Sequence, residues 1–152
     1  MNKVAIVGTG QTKFSKDDKN IEDLLFESSD KCLQSIRNCD PNDVQGVLVS
    51  TNDNSKYLGA ILSETMGIEP QISHSIEHLC SSGTNAIISA YSYISSGLSD
   101  IILVSGVESA TNPGQVLEWD KLEETLNIQS IGHQCLRNLI KENSRQLMKN
   151  WQ

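Results

Sequence analysis

No stretch of the 152 residues is apolar for long enough to cross a bilayer, and the first ten lack the basic-then-apolar order of a secretory leader. The compartment expected from this is the cytoplasm, with no membrane partner. A basic surplus is also missing. Twelve Lys and Arg stand against 19 Asp and Glu, and a net charge of −7 argues against a general binder of nucleic acid or anionic surfaces. The four cysteines, Cys32, Cys39, Cys80 and Cys135, show no CxxC spacing, so free thiols are expected rather than a zinc site or a disulfide framework. Internal repeats and low-complexity tracts are lacking too. What is present, 38% hydrophobic and 20% charged residues, suits one compact domain with a sizeable core.

Apolar spacing places the elements. Lys3 to Val7 reads as a short strand ending in Gly8-Thr9-Gly10. Those two glycines invite a dinucleotide reading, but the polar, unperiodic Gln11 to Lys19 supplies no helix opened by a third glycine, and a tight turn fits better. Asn20 is a candidate cap for a helix running to about Asn38, with Glu22 and Asp23 in its first turn and a stripe of Ile21, Leu24, Leu25, Cys32, Leu33 and Ile36. Val44 to Ser50 reads as a central strand. The polar loop after it would border a ligand crevice, with Asp53 and Asn54 as residues able to face it. Tyr57, Leu58, Ile61, Leu62 and Met66 predict a second helix stopped by Gly67. Asp100 to Gly106 is the clearest strand, followed by Glu108, which can line a pocket or satisfy loop backbone. Strands alternating with helices through short connections predict an α/β domain, a mostly parallel sheet with helices on both faces.

One junction draws the chemistry. In the segment from Gln71 to Gly97 a short apolar strand gives way to a helix whose Gly83, Ala86, Ile87, Ala90, Tyr91 and Ile94 recur at three- and four-residue steps; Gly83, Ala86 and Ala90 let it pack closely, and Gly97 is its C-terminal stop. Cys80 falls at the start of that helix, where unpaired N–H groups and the dipole favour a nearby anion and a more nucleophilic sulfur. The same N–H groups can receive a developing oxyanion. Ser81, Ser82, Gly83 and Thr84 are small and leave room for a substrate, which makes Ser81 and Gly83 candidate substrate-binding residues beside Cys80. His74, Ile76, His78 and Cys80 alternate and can share one side of a strand, but no carboxylate cluster completes a metal site, and packing or an interface accounts better for both histidines.

The segment HLCSSGTNAI, taken with VAIVGTGQTKF at the start and ILVSGVESAT after the helix, resembles the N-terminal half of a thiolase over roughly residues 3 to 114. It resembles most the branch containing the sterol-carrier-protein-type and archaeal acetyl-CoA acetyltransferases. The resemblance implies a thiolase-like N-terminal α/β domain over residues 1–114 and, over 115–152, the start of a mostly helical loop region that covers the acyl-CoA. Arg137 or Lys141 of that region would then meet phosphate. It implies that Cys80 attacks a thioester and carries the acyl group, with a coenzyme A thioester as substrate and no covalently bound cofactor. A second α/β half in such proteins supplies a base histidine and a second cysteine, and neither motif occurs in these residues. The expected partners are therefore a second copy, with His74 and His78 near the dimer contact, or a chain that supplies the C-terminal half. The Gly132-His133-Gln134-Cys135 stretch lacks the proline and glycine surroundings of the family's histidine motif and fits helical packing. Two other readings stand beside acyl transfer: a non-catalytic module that dimerises or docks on thiolase-like partners, and a nucleotide binder built on Gly8 and Gly10.

Overall fold

The computed structural model describes residues 3–15, 19–52 and 55–109, all within the first of two units, Met1–Val116; the second, Leu117–Gln152, lies outside them. The expected loop region at 115–152, with Arg137, Lys141, His133 and Cys135, is therefore outside the described residues, as are Asp53 and Asn54.

Three helices and three strands alternate: α1 Ile21–Gln34, β1 Gly46–Thr51, α2 Leu58–Met66, β2 Ile72–Ile76, α3 Ser82–Ser95 and β3 Ile102–Val107. The strands form one parallel sheet in the order β2-β1-β3. β1 is central, as its β-branched run predicts, and all six of its residues are buried. Because side chains alternate, Val47 and Val49 of β1 point to one face and Leu48 and Ser50 to the other. The first face joins the core cluster with Ile21, Leu25 and Leu33 of α1 and Leu58 and Leu62 of α2. The second lies under α3, which reaches all three strands. The sheet thus carries helices on both faces, the α/β arrangement expected.

Local chemistry sets the element ends. The Asn20 side chain accepts the Asp23 N–H at 2.7 Å and starts α1. That helix stops at Gln34 rather than near Asn38, because the Ser35 hydroxyl donates to the Cys32 carbonyl at 2.7 Å and Asn38 turns left-handed. Gly67 closes α2 at φ +67°, and Gly97 follows α3 at φ +79°, each accompanied by paired hydrogen bonds back into the last turn. Tyr57, expected on the buried stripe of α2, instead precedes the helix in the left-handed region and is exposed.

One expectation needs correction. Lys3 to Val7 is not a strand: it forms no ladder, and Ile6 and Val7 are exposed. The chain instead passes along α1, where a Cβ on Gly10 would collide with the Ser28 carbonyl oxygen and one on Gly8 with the Ile36 side chain. The segment pairs with neither open edge of the three-stranded sheet, and strand propensity without a ladder makes no strand. On α3 the face toward the sheet is Ser82, Ala86 and Ala90, while Ile87 and Tyr91 are 57% and 43% exposed. Small residues at four-residue spacing let the helix lie close to the sheet, and the larger apolar side chains turn outward.

At the surface, Glu27 receives hydrogen bonds from Lys19 and Lys31, which lower its carboxyl from 4.5 to about 2. A depressed folded value means that stability is fully present above the unfolded value and is lost as pH falls toward the folded one. We expect the melting temperature of Glu27→Gln to fall less than that of the parent between pH 5 and pH 2, with the difference shrinking at high salt; thermal melts across that range check it.

Candidate active site

Three segments converge at the C-terminal ends of β1 and β3, where parallel sheets leave room for ligands. Ser50, Thr51 and Asn52 come from the end of β1, and Gly106, Val107 and Glu108 from the end of β3. Leu79, Cys80, Ser82 and Gly83 come from the turn into α3. Together they line an open cavity of about 480 Å³. Its floor depends on small groups. A Cβ on Gly106 would lie 2.8 Å from the Ser50 hydroxyl, and one on Gly83 would meet only that hydroxyl, at 3.9 Å. The Ser50 hydroxyl itself donates to the Ser105 carbonyl at 3.3 Å, which ties β1 to β3 beneath the cavity.

Cys80 sits in a single 3-10 turn, Leu79–Ser81, that leads directly into α3, and its thiol is free and exposed. Cys32 and Cys39 are also free but half-buried. Burial pushes the Cys32 thiol up from its ordinary value, with a smaller push from nearby Cys39, so Cys32 is mostly protonated at neutral pH.

The other predicted residues are placed as follows. Gly83 lines the cavity. Ser81 does not; its hydroxyl donates to the His78 carbonyl at 2.9 Å and accepts from Asn85 at 3.3 Å. β2 ends at Ile76, so His78 and Cys80 do not continue that strand, and the alternation expected to align His74, His78 and Cys80 is broken. His74 instead stacks on Tyr93 of α3, with ring centroids 6.2 Å apart and the phenol oxygen 3.3 Å from its Nε2. Among the described residues no group of three His, Cys, Asp or Glu could hold a metal ion. No helix among them is long and apolar enough to cross a membrane.

Glu108 fills both roles left open for it: it lines the cavity, and its carboxylate accepts the Asn52 N–H, bracing one rim against the other. Asn52, rather than Asp53 or Asn54, is the residue of this loop seen at the cavity among the described residues. Its position one residue past the central strand was the available signal, and its Oδ1 is buried with no hydrogen-bond partner among the described residues.

Comparison with known proteins bears on family and fold. Residues 4–148 match the family model for the thiolase N-terminal domain. The chain is similar to an acetyl-CoA acetyltransferase of Methanocaldococcus jannaschii, 31% identical over 118 residues, and to one of Methanothermobacter thermautotrophicus, 25% identical over 118 residues. Each match covers 74% of this chain but 30% of the relative, so the chain spans about a third of the length of these proteins. Among solved structures, the 3-oxoacyl-[acyl-carrier-protein] synthase III of Aquifex aeolicus aligns with a TM-score of 0.56 at 19% identity, over 60% of this chain and 30% of that one. An acetyl-CoA acetyltransferase of Syntrophomonas wolfei aligns with a TM-score of 0.56 at 22% identity, over 65% and 27%. At these identities the two structures speak to the fold.

Proposed function

The chain belongs to the thiolase family, and from that premise we propose that it carries the nucleophile of an acyl transfer from acyl-CoA, with Cys80 as the acyl-accepting residue. The observation that carries this reading is a free, exposed thiol on the rim of a 480 Å³ cavity at the start of a 14-residue helix. In the proposed step the Cys80 sulfur attacks the thioester carbonyl carbon. A new carbon–sulfur bond forms, the bond to coenzyme A breaks, and coenzyme A leaves as a thiolate that takes up the proton Cys80 has lost. Backbone N–H groups in the first turn of α3 are the candidate donors to the carbonyl oxygen as charge collects there. Gly83 leaves space for the acyl group, and Ser81 stands at the outer edge of the same turn.

Carbon–carbon bond formation or cleavage needs a positioned proton acceptor as well as the nucleophile. We assign that group to a part of the assembly beyond these residues, either a C-terminal half or a partner chain, and a second copy is a further candidate partner. The substrate is a coenzyme A thioester and no covalent cofactor is invoked. One observation favours a second reading, a non-catalytic docking module: Ile87, Ile88 and Tyr91 of α3 are all exposed.

Incubation with acetyl-CoA at neutral pH, followed by peptide mass spectrometry, separates the two readings. Acyl transfer predicts a stoichiometric acetyl adduct on Cys80 while Cys32 stays unmodified. Labelling of Cys80 no faster than that of Cys32 would favour the module.

A further inference from the structure

The turn that presents Cys80 is strained, and a buried hydroxyl holds it. Leu79, immediately before the cysteine, has φ +49°, in the left-handed region that non-glycine residues avoid. Such a conformation persists only where surrounding groups over-determine it. The Glu77 carboxylate accepts the Leu79 N–H at 3.0 Å, but that bond is exposed and water competes for it. Ser82 is different. It is only 5% exposed; its hydroxyl donates to the Leu79 carbonyl at 2.7 Å and accepts the His78 N–H at 2.7 Å. One side chain at the first position of α3 thus grips the backbone on both sides of Leu79.

We propose that Ser82 is the positioning residue for the nucleophile: its hydroxyl holds Leu79 in the left-handed conformation and so keeps the Cys80 sulfur at the cavity. This rests on the acyl-transfer reading of Cys80. Both hydrogen-bonding roles of the hydroxyl are used within the turn, so it acts through Leu79 and Cys80 rather than on the acyl group. Without it, Leu79 relaxes to an ordinary φ, the peptide before Cys80 rotates, and the sulfur moves away from the helix start.

The test compares the parent, Ser82→Ala, and the double variant Ser82→Ala with Leu79→Gly, since glycine adopts positive φ without strain. Acetylation of Cys80 by acetyl-CoA and alkylation by iodoacetamide are followed site by site, with Cys32 as the internal gauge of general loosening. Ser82→Ala should slow acetylation of Cys80 by roughly ten- to a hundred-fold, the scale of a small misplacement of a reacting group, with the Cys32 rate unchanged. Glycine at position 79 should restore most of the loss. A parental rate in Ser82→Ala would overturn the proposal, as would a loss that glycine does not restore or a rise in Cys32 labelling. Failure of parental Cys80 to take an acetyl group would instead sink the acyl-transfer reading. Iodoacetamide then decides positioning alone: slower Cys80 alkylation restored by glycine supports it, and equal rates in all three proteins overturn it.

Discussion

Replacing Cys80 with serine should abolish acetylation of the chain by acetyl-CoA while leaving its folding intact. The substitution exchanges sulfur for oxygen in a side chain of similar shape, but a hydroxyl with no adjacent base is a far weaker nucleophile than a thiol. Loss of a covalent nucleophile costs at least roughly a thousand-fold in rate, which here means no detectable adduct. Cys80 is exposed and belongs to no core cluster, so the melting temperature should stay within about 4 °C of the parent. Cys32→Ser is the informative contrast. Cys32 packs against the core with a thiol pushed up by burial, so its loss should leave acetylation of Cys80 unchanged and register only in stability. Retention of a stable acetyl adduct in Cys80→Ser would show that the acyl group resides elsewhere.

The position of Cys80 was legible because two signals coincide there: a change of apolar period and a run of small residues. Both are local, and local signals survive in a single sequence. The walls of the cavity were less legible. Asn52 and Glu108 lie 56 residues apart, and only the parallel pairing of β1 with β3 brings the carboxylate of one to the backbone of the other. The Lys3 to Val7 segment shows the opposite failure. Its residues suit a strand as well as those of β1 do, but a strand exists through its partners. The two glycines that suggested a turn serve instead as points of close approach to α1. On α3 both the period and the close-packing side were legible: Ala86 and Ala90 lie against the sheet as small residues at four-residue spacing allow, and Ile87 and Tyr91, which share the period, turn outward.

A glycine the sequence pattern did not single out should carry a large structural effect. Gly59, in the first turn of α2, lies where the helix comes close to β2: an added Cβ would sit 2.8 Å from the Ser73 hydroxyl and 2.9 Å from the His74 carbonyl oxygen. The hydroxyl can rotate away, but the carbonyl belongs to the strand and cannot. The glycine also joins the two elements, since its N–H donates to the Ser75 hydroxyl of β2 at 3.2 Å. Gly59→Ala therefore forces α2 away from the sheet, stretching that bond and loosening Leu58 and Leu62, both almost fully buried. Alanine's better helix propensity recovers about 1 kcal/mol of this, so we expect a net loss of about 2 kcal/mol from an overpacking cost of about 3 kcal/mol. Gly83→Ala gains the same helix propensity and meets only an ordinary contact at 3.9 Å, so chemical denaturation should find it no less stable than the parent. Equal stability of the two variants would mean that α2 and β2 are not packed at the distance described. The gap between them instead identifies a contact that fixes α2 against β2, the strand whose end leads into the turn from which Cys80 is presented.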